Sequence, residues 1–365
     1  MLKSKIGTVE AIMLVLTIII VHTILSLPRD IVSAQKSASL LNLFYVSIIS
    51  IIITLIVFKL FKNFPGLDIL DISEIVGGKI FRNIVGIIFI TYFIFTASLL
   101  LRNFCDSIKV IYYPMTNIVF IILLFIIALC VANRLDFSAT LKTNLLIIPL
   151  VLGSILFLFF SNMQNFVPQR IFPIFGEGVF NTFVLGLTNL ASFGGIAFLY
   201  FLPPLLKEPE KFKKISLIST LVSAIYLLLC VATLLFIFPF FMKTNEITPL
   251  YNATRYIEFG RFFQRLDSIF LLIWILVFAC YLSIVSKFAM NMLKKILNIS
   301  TKKPLIDIFA LLILALALLP KNLAISQNFE SNIYPYLVIS IVFCLGLGIL
   351  IFANLAKRRE QKING

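Results

Sequence analysis

Charge is scarce in this chain. Of its 365 residues only 13% are Asp, Glu, Lys or Arg, about half the share of an ordinary soluble domain. Histidine and tryptophan occur once each, so a histidine-built metal site is excluded. The five cysteines (Cys105, Cys130, Cys230, Cys280, Cys344) form no CxxC pair and lie in or at the ends of apolar runs, where cysteine behaves as a small hydrophobe. There is no GxSxG, no HExxH, no phosphate-cradling glycine loop and no close carboxylate pair within an apolar run, so the chemistry these motifs carry has no foothold. The expectation is a protein that is not an enzyme and carries neither metal nor cofactor. No linker separates two folded units, so one domain is expected.

Apolar residues are what the chain has in abundance: 61% hydrophobic, with 38 phenylalanines and a mean hydropathy of +1.08. A water-soluble core of this length cannot hide so much apolar surface, so the chain reads as an integral membrane protein. A helix needs about 20 apolar residues to cross roughly 30 Å of hydrocarbon. Ten runs meet that need, at 9–27, 40–61, 82–104, 114–133, 143–161, 178–205, 215–240, 266–288, 304–320 and 333–355. They are continuous rather than alternating in polarity, which favours helices over a transmembrane barrel. Lys3 and Lys5 precede a first run that continues to Leu27 without a small-residue cleavage site, so it reads as a span and not as a removed signal.

The net charge of +15 does not point to nucleic acid, because it is distributed by side of the membrane. With ten spans and an inside N-terminus, 21 of the 31 Lys and Arg fall on inside segments and 10 on outside ones. That bias predicts both termini in the cytoplasm. The loops with Lys207, Lys211, Lys213 and Lys214, and with Lys294, Lys295, Lys302 and Lys303, are placed to meet anionic lipid headgroups. Two glycosylation-type triplets, at Asn252 and Asn298, are discounted, since the second falls on the inside. The outside stretch 241–265 mixes Pro249 and Gly260 with aromatics and charges; its length suits a partly structured cap or a solvated connector.

Two apolar runs are interrupted. LTNLASFGGIAFLYFLPPL, residues 187–205, carries Thr188, Asn189, Ser192 and the Gly194-Gly195 pair. Hydrocarbon offers backbone groups no hydrogen bonds, so non-helical backbone survives there only against protein or a cavity. The expectation is a break, one half-helix ending near Leu190 and the next starting near Gly195; close helix packing through small residues is the plainer reading. In the first run, His22, Thr23 and Ser26 come just before Pro28 and Arg29. An intramembrane ionisable residue such as His22 faces a cavity or a partner, and Thr23 and Ser26 either join it or bond carbonyls one turn back. These are runs one and six of ten, the same place in each half. Discontinuous helices at matching positions of two inverted repeats point to a ligand site at the bilayer midplane. Repeat one is expected over about 9–161 and repeat two over about 178–355. Other walls come from run three, where Tyr92, Thr96 and Asn103 share a face, and from run eight, with Asp267, Trp274, Tyr281 and Ser283. Arg102 and Asp106 are spaced to pair at i, i+4; with Arg265 and Asp267 they read as an outer gate, or, for Asp267, as a helix-start carboxylate.

The order of runs, Leu27-Pro28-Arg29 after the first helix, the stretch Asn103 to Pro114, and above all RFFQRLDSIFLLIWILVFACY (261–281), with Arg265, Asp267, Phe270 and Trp274, resemble the endospore germination permeases. These are the B subunits of Ger-type germinant receptors, and the likeness runs through essentially the whole chain. It implies the ten-helix, five-plus-five inverted repeat of amino acid/polyamine/organocation transporters, with helices one and six discontinuous. It further implies a small nutrient germinant such as an amino acid in the transporter-like pocket, an A-type membrane subunit and a C-type lipoprotein as partners, and residence in the spore inner membrane. Thr23, Thr188, Asn189 and Gly194 carry over to the pocket by position. His22-Thr23 depart from the Gly-rich break such a first helix often has. A coupled H⁺ or Na⁺ amino-acid transporter, or a scaffold for a channel-forming partner, would share the fold.

Overall fold

The computed structural model describes residues 5–24, 27–239, 248–257, 266–299 and 303–363. The chain opens with α1 (Thr8–Ile20), tightens into a 3₁₀ turn at Val21–Ile24, and resumes as α2 (Leu27–Gln35) and α3 (Ser39–Phe61). Three long helices follow: α4 (Ile69–Tyr112), α5 (Ile118–Arg134) and α6 (Phe137–Ser161). After the short α7 (Val179–Phe183) the backbone runs as a 3₁₀ helix over Leu185–Tyr200. Then come α8 (Phe212–Ile237), α9 (Pro249–Arg255), α10 (Leu266–Leu297) and α11 (Lys303–Leu318). The last stretch alternates α12 (Leu323–Asn328), a wide π turn at Phe329–Ile333, α13 (Tyr334–Val338), a second π turn at Ile339–Gly346, and α14 (Leu347–Ile363).

Seven helical runs are long and apolar enough to cross a bilayer: Leu27–Phe61, Ile69–Tyr112, Phe137–Ser161, Val179–Tyr200, Pro209–Ile237, Asp267–Leu297 and Leu323–Arg359. Three shorter apolar helices, Thr8–Ile20, Ile118–Arg134 and Pro304–Leu318, fall where runs one, four and nine were expected. The molecule is an all-helical, multi-pass membrane protein. Several of its buried hydroxyls are satisfied within their own helix. Ser47 donates to the Leu43 carbonyl, Thr54 to Ser50, Ser98 to Ile94 and Ser219 to Ile215, each four residues back, so no solvent is needed to satisfy them.

Run three is longer than its apolar window. Helix begins at Ile69, capped by Asp68, whose carboxylate accepts from the Leu70 and Asp71 amides at 2.9 and 3.0 Å. Asp71, Glu74 and Lys79 kept this first part out of the apolar count, but helicity needs caps and propensity, not continuous hydrophobicity. Lys295 of α10 reaches both Asp68 oxygens at 2.7 Å and Asp71 at 2.6 Å. Burial and the neighbouring Asp71 push the Asp68 carboxyl above its usual range, against the pull of Lys295. The helix bends at Gly77 and Gly78; Gly78 has φ +73° and ψ −174°, a region essentially reserved for glycine, and an Arg82–Glu74 bond of 2.7 Å spans the bend. Gly78→Val is therefore expected to destabilise the protein by about 1–3 kcal/mol, read as a lower unfolding midpoint in detergent with Gly153→Val, a helical glycine with open space around it, as the control.

Run six departs from the expected two halves with extended residues between them. Its backbone stays coiled as 3₁₀ helix from Leu185 to Tyr200, and the one residue off helical geometry is Phe193 (φ −100°, ψ 20°). Runs of 3₁₀ helix beyond three or four residues are uncommon, and this one is set by its neighbours. A Cβ on Gly195 would lie 2.5 Å from Ile19 Cγ1 and 3.0 Å from the Ile19 amide, so this glycine lets the segment seat against α1. At the far end the chain is pinned to the N-terminus: Ile6 donates to the Leu205 carbonyl at 2.7 Å and Lys207 to the Ile6 carbonyl at 3.0 Å. This parallel bridge ties the two interrupted runs together at one end of the bundle.

Candidate functional site

Eight of the residues expected to form one pocket, His22, Tyr92, Thr96, Thr188, Asn189, Ser192, Gly194 and Gly195, line two neighbouring spaces. The smaller is a hollow with room for at most about one water molecule (≈ 10 Å³). His22, Tyr92, Thr96, Gly194, Gly195 and Tyr281 are in its wall. His22 is brought there by the 3₁₀ turn that ends α1, and it is held by aromatic neighbours. Its ring stacks on Tyr334 at 5.0 Å and 21° and meets Tyr281 edge-on at 6.2 Å. The Tyr334 hydroxyl lies 3.3 Å from His22 Nε2. A Cβ on Gly194 would stand 2.8 Å from the Tyr334 hydroxyl and 3.1 Å from that of Tyr92, so both phenols close on bare backbone at this point. Thr96 Oγ1 is buried with no hydrogen-bond partner among the described residues.

Beyond Tyr334 the space widens into a vestibule of about 220 Å³. One wall is a face of α2, with Leu27, Asp30, Ile31 and Ala34 at the i, i+3, i+4, i+7 spacing of a single helical stripe. A second is the 3₁₀ helix, with Thr188, Asn189 and Ser192; the third is the π turn, with Glu330 and Asn332, leading to Tyr334. Pro335 has no N–H to return to the carbonyl four residues back, which accounts for a widened turn just before it. π turns recur at functional sites. Ser192 Oγ is buried and also lacks a hydrogen-bond partner among the described residues.

The 3₁₀ wall is held from behind by Asn42 of α3. Its amide donates to the Thr182 carbonyl at 2.7 Å and the Gly186 carbonyl at 3.2 Å, and its oxygen accepts from Asn189 at 2.7 Å. Thr188 bonds the Leu185 carbonyl at 2.9 Å. Glu330 is buried and accepts from Asn103 of α4. Asp30 accepts from Arg29 Nε at 3.0 Å and its terminal nitrogen at 2.9 Å, both on Oδ1. Pro28 and Arg29 are buried in the first turn of α2.

Other expected residues lie elsewhere. Trp274 is buried against Phe270, edge to face at 6.2 Å, and lines neither space, contrary to its expected place in the pocket. Tyr281, seven residues on along α10, lines the hollow. Arg102 and Asp106 pair at 2.8 Å, and Arg102 also reaches the Ala317 carbonyl of α11 at 3.3 Å. Asp267, in the first turn of α10, accepts from the Tyr251 hydroxyl at 2.6 Å, which in turn meets Tyr112 at 3.1 Å. This chain joins α9 to the ends of α4 and α10. The Thr23 side chain, Ser26 and Arg265 lie outside the described residues. Among the described residues no cluster of three or more His, Cys, Asp or Glu is placed to hold a metal.

Asn42, Asp30, Glu330 and Tyr334 were not singled out from the sequence. Glu330 carried a readable signal, an acidic side chain beside an apolar run, but it falls just before the start taken for run ten. Lys287 of α10 was also missed. It is buried and donates to Thr140 Oγ1 at 2.7 Å and to the Ala132 carbonyl at 3.0 Å, fastening the end of α5 to α6 and α10.

The chain is 29% identical over 288 residues to spore germination protein A2 of Bacillus subtilis (strain 168), covering 77% of this chain and 76% of that one. It is 24% identical to spore germination protein YndE of the same organism, over 98% of this chain and 99% of the other. Its fold is similar to that of Mhp1, a nucleobase-cation-symport-1 family transporter, in a closed conformation with bromovinylhydantoin bound. The TM-score is 0.65 at 14% identity, over 95% of this chain and 78% of that one. The family model for spore germination proteins matches residues 5–325, and the chain, with its transporter-like fold, belongs to that family.

Proposed function

We propose that this chain is the membrane subunit of a spore germinant receptor, that a small nutrient, an amino acid or similar molecule, enters the vestibule, and that its binding shifts a conformational equilibrium read by partner subunits. The observation that carries this reading is the place of the vestibule: Leu27 and Asp30, just after the first interrupted run, meet Thr188, Asn189 and Ser192 of the other. In this reading the seven long and three shorter apolar helices make ten passes, arranged as two inverted repeats of five with runs one and six as the discontinuous helices. Both termini are cytoplasmic, the vestibule opens outward, and the Ile6–Leu206 bridge closes the inner side. The membrane is the inner membrane of the spore, with anionic lipid against the basic inner loops. The partners are an A-type membrane subunit and a C-type lipoprotein. The chain performs no chemistry; a ligand moves the equilibrium only by its differential affinity for the two states.

A coupled amino-acid transporter is the second reading, favoured by the likeness to a symporter's fold. Two measurements separate them. Spores carrying Ser192→Phe, which fills the vestibule from a buried wall position, are expected to lose nutrient-triggered germination while the protein remains in the membrane. A normal response would remove the vestibule as the site. Purified chain in liposomes is expected not to concentrate labelled amino acid; accumulation driven by an H⁺ or Na⁺ gradient would make it a transporter.

A further inference from the structure

We propose that a groove between the ends of α3 and α14 holds one anionic phospholipid, its phosphate among Lys59, Lys62 and Arg358 and its acyl chains on the apolar surface beside them. The site is separate from the vestibule and from the basic loops, and it stands whatever the vestibule binds. The groove has a volume of about 430 Å³, within the roughly 300–1,000 Å³ of small-molecule sites. Lys59, Lys62 and Arg358 line it, and none of its lining residues is acidic. All three cations are exposed, and none has an ion pair or a side-chain hydrogen bond among the described residues. The neighbouring cation is already used: Lys357 donates to the Asn63 carbonyl at 2.7 Å and sits over the Phe64 ring at 5.1 Å. The floor is likewise fixed. The Asn354 amide donates to the Leu350 carbonyl at 2.8 Å and the Leu60 carbonyl at 3.2 Å, and its oxygen accepts from Asn63.

The second observation is the order of side chains along the groove. Asn354 meets Leu60 and Lys357 meets Asn63, so α14 and the end of α3 step out of the bundle in the same direction. Ile351, Asn354, Leu355 and Arg358 line the groove at the i, i+3, i+4, i+7 spacing of one helical stripe. Arg358 lies about 10 Å further along that stripe than Ile351. Ile351 and Leu355 are exposed, and both helices belong to runs long and apolar enough to cross a bilayer. The groove therefore passes from apolar to cationic over the distance at which a phospholipid passes from acyl chain to phosphate. An Arg fork and two Lys point charges suit a phosphodiester. A free phosphate would meet the same cations but would leave the exposed Ile351 and Leu355 without a partner.

Native mass spectrometry of the full chain tests this, with the protein released from mixed micelles holding equal amounts of phosphatidylglycerol and phosphatidylcholine with the same acyl chains. One phosphatidylglycerol is expected to be retained in preference. Lys59→Gln, Lys62→Gln and Arg358→Gln together are expected to cut that retention by about tenfold or more, since each cation at a lipid surface contributes about fivefold. The same loss of three charges at Lys207, Lys211 and Lys214 is expected to leave it nearly unchanged. Arg358→Gln alone is read in the same way should the triple variant not fold. Equal retention of the two lipids overturns the proposal. So does an equal loss from the loop variant, which would make the attraction one of net charge and not of the groove. If glycerol 3-phosphate raises the unfolding midpoint as much as phosphatidylglycerol does, and the groove variant abolishes both effects, the groove reads a free phosphate and the lipid assignment is overturned.

Discussion

Gly194→Trp is expected to abolish the ligand response altogether while leaving the protein in the membrane. The first atom of any side chain at this position already comes within 2.8 Å of the Tyr334 hydroxyl, 3.1 Å of the Tyr92 hydroxyl and 3.2 Å of Val338 Cγ1. None of the three retreats easily. Tyr334 is stacked on His22, Tyr92 is buried in the middle of α4, and Val338 belongs to α13. Even Gly194→Ala is an overpacking change, expected to destabilise by about 1–3 kcal/mol and to push the Tyr334 hydroxyl off His22. An indole does not fit in the hollow at all and would drive the 3₁₀ helix away from α13, opening the wall between hollow and vestibule. The checks are nutrient-triggered germination and the unfolding midpoint, with Gly348→Trp beside it, since a Cβ on Gly348 meets nothing within 4 Å. A normal response from Gly194→Trp, with the Gly348 variant also normal, would show that the hollow takes no part in the response.

Arg102→Ala is expected to have the largest effect on stability. Arg102 and Asp106 are both buried, one turn apart on α4, and the guanidinium also caps the Ala317 carbonyl near the end of α11. Removing the cation strands a buried carboxylate, a loss of about 3–5 kcal/mol in comparable buried pairs. Replacing both, as Arg102→Met with Asp106→Leu, removes the attraction and the desolvation penalty together, and is expected to recover most of that loss. A thermal or denaturant double-mutant cycle in detergent measures the difference. If the losses from Arg102→Ala and Asp106→Ala add up to that of the double variant, the two are not coupled and the ion pair is not what holds α4 to α11. If the double variant is stable but unresponsive to nutrient, the pair acts as the gate its position in the sequence suggested.

Several features of the site were readable before any coordinates. His22 as the single histidine, set in an apolar run, Thr96 and Tyr92 on one face, and the small polar residues from Thr188 to Gly195 all line the two spaces. These are local signals, because a polar side chain in an apolar run demands an explanation wherever it sits. The form of the interruption was not readable. Gly194 and Gly195 suggested an unwound link; what they supply is close approach, to two tyrosines and to α1, within a backbone that remains coiled. Trp274 lies apart from both spaces. Grouped with Asp267, Tyr281 and Ser283 as a break in an apolar run, it was expected in the pocket; its indole packs on Phe270, which no pattern along α10 distinguishes from facing the cavity.

Membrane residence and the positions of the helical runs follow from residue composition alone, because transfer into hydrocarbon is a free energy summed along a short stretch of chain, and each run meets or misses the threshold by its own content. The pairing of His22 with Tyr334, of Asn103 with Glu330 and of Asn42 with Asn189 joins residues 312, 227 and 147 positions apart. Such pairs exist only once helices have packed with a given rotation and register, which shape complementarity among many side chains decides and no single run encodes. The vestibule belongs to that second kind: Asp30 and Glu330 stand 300 positions apart in the chain, and line one space only when α2 and the π turn meet around it.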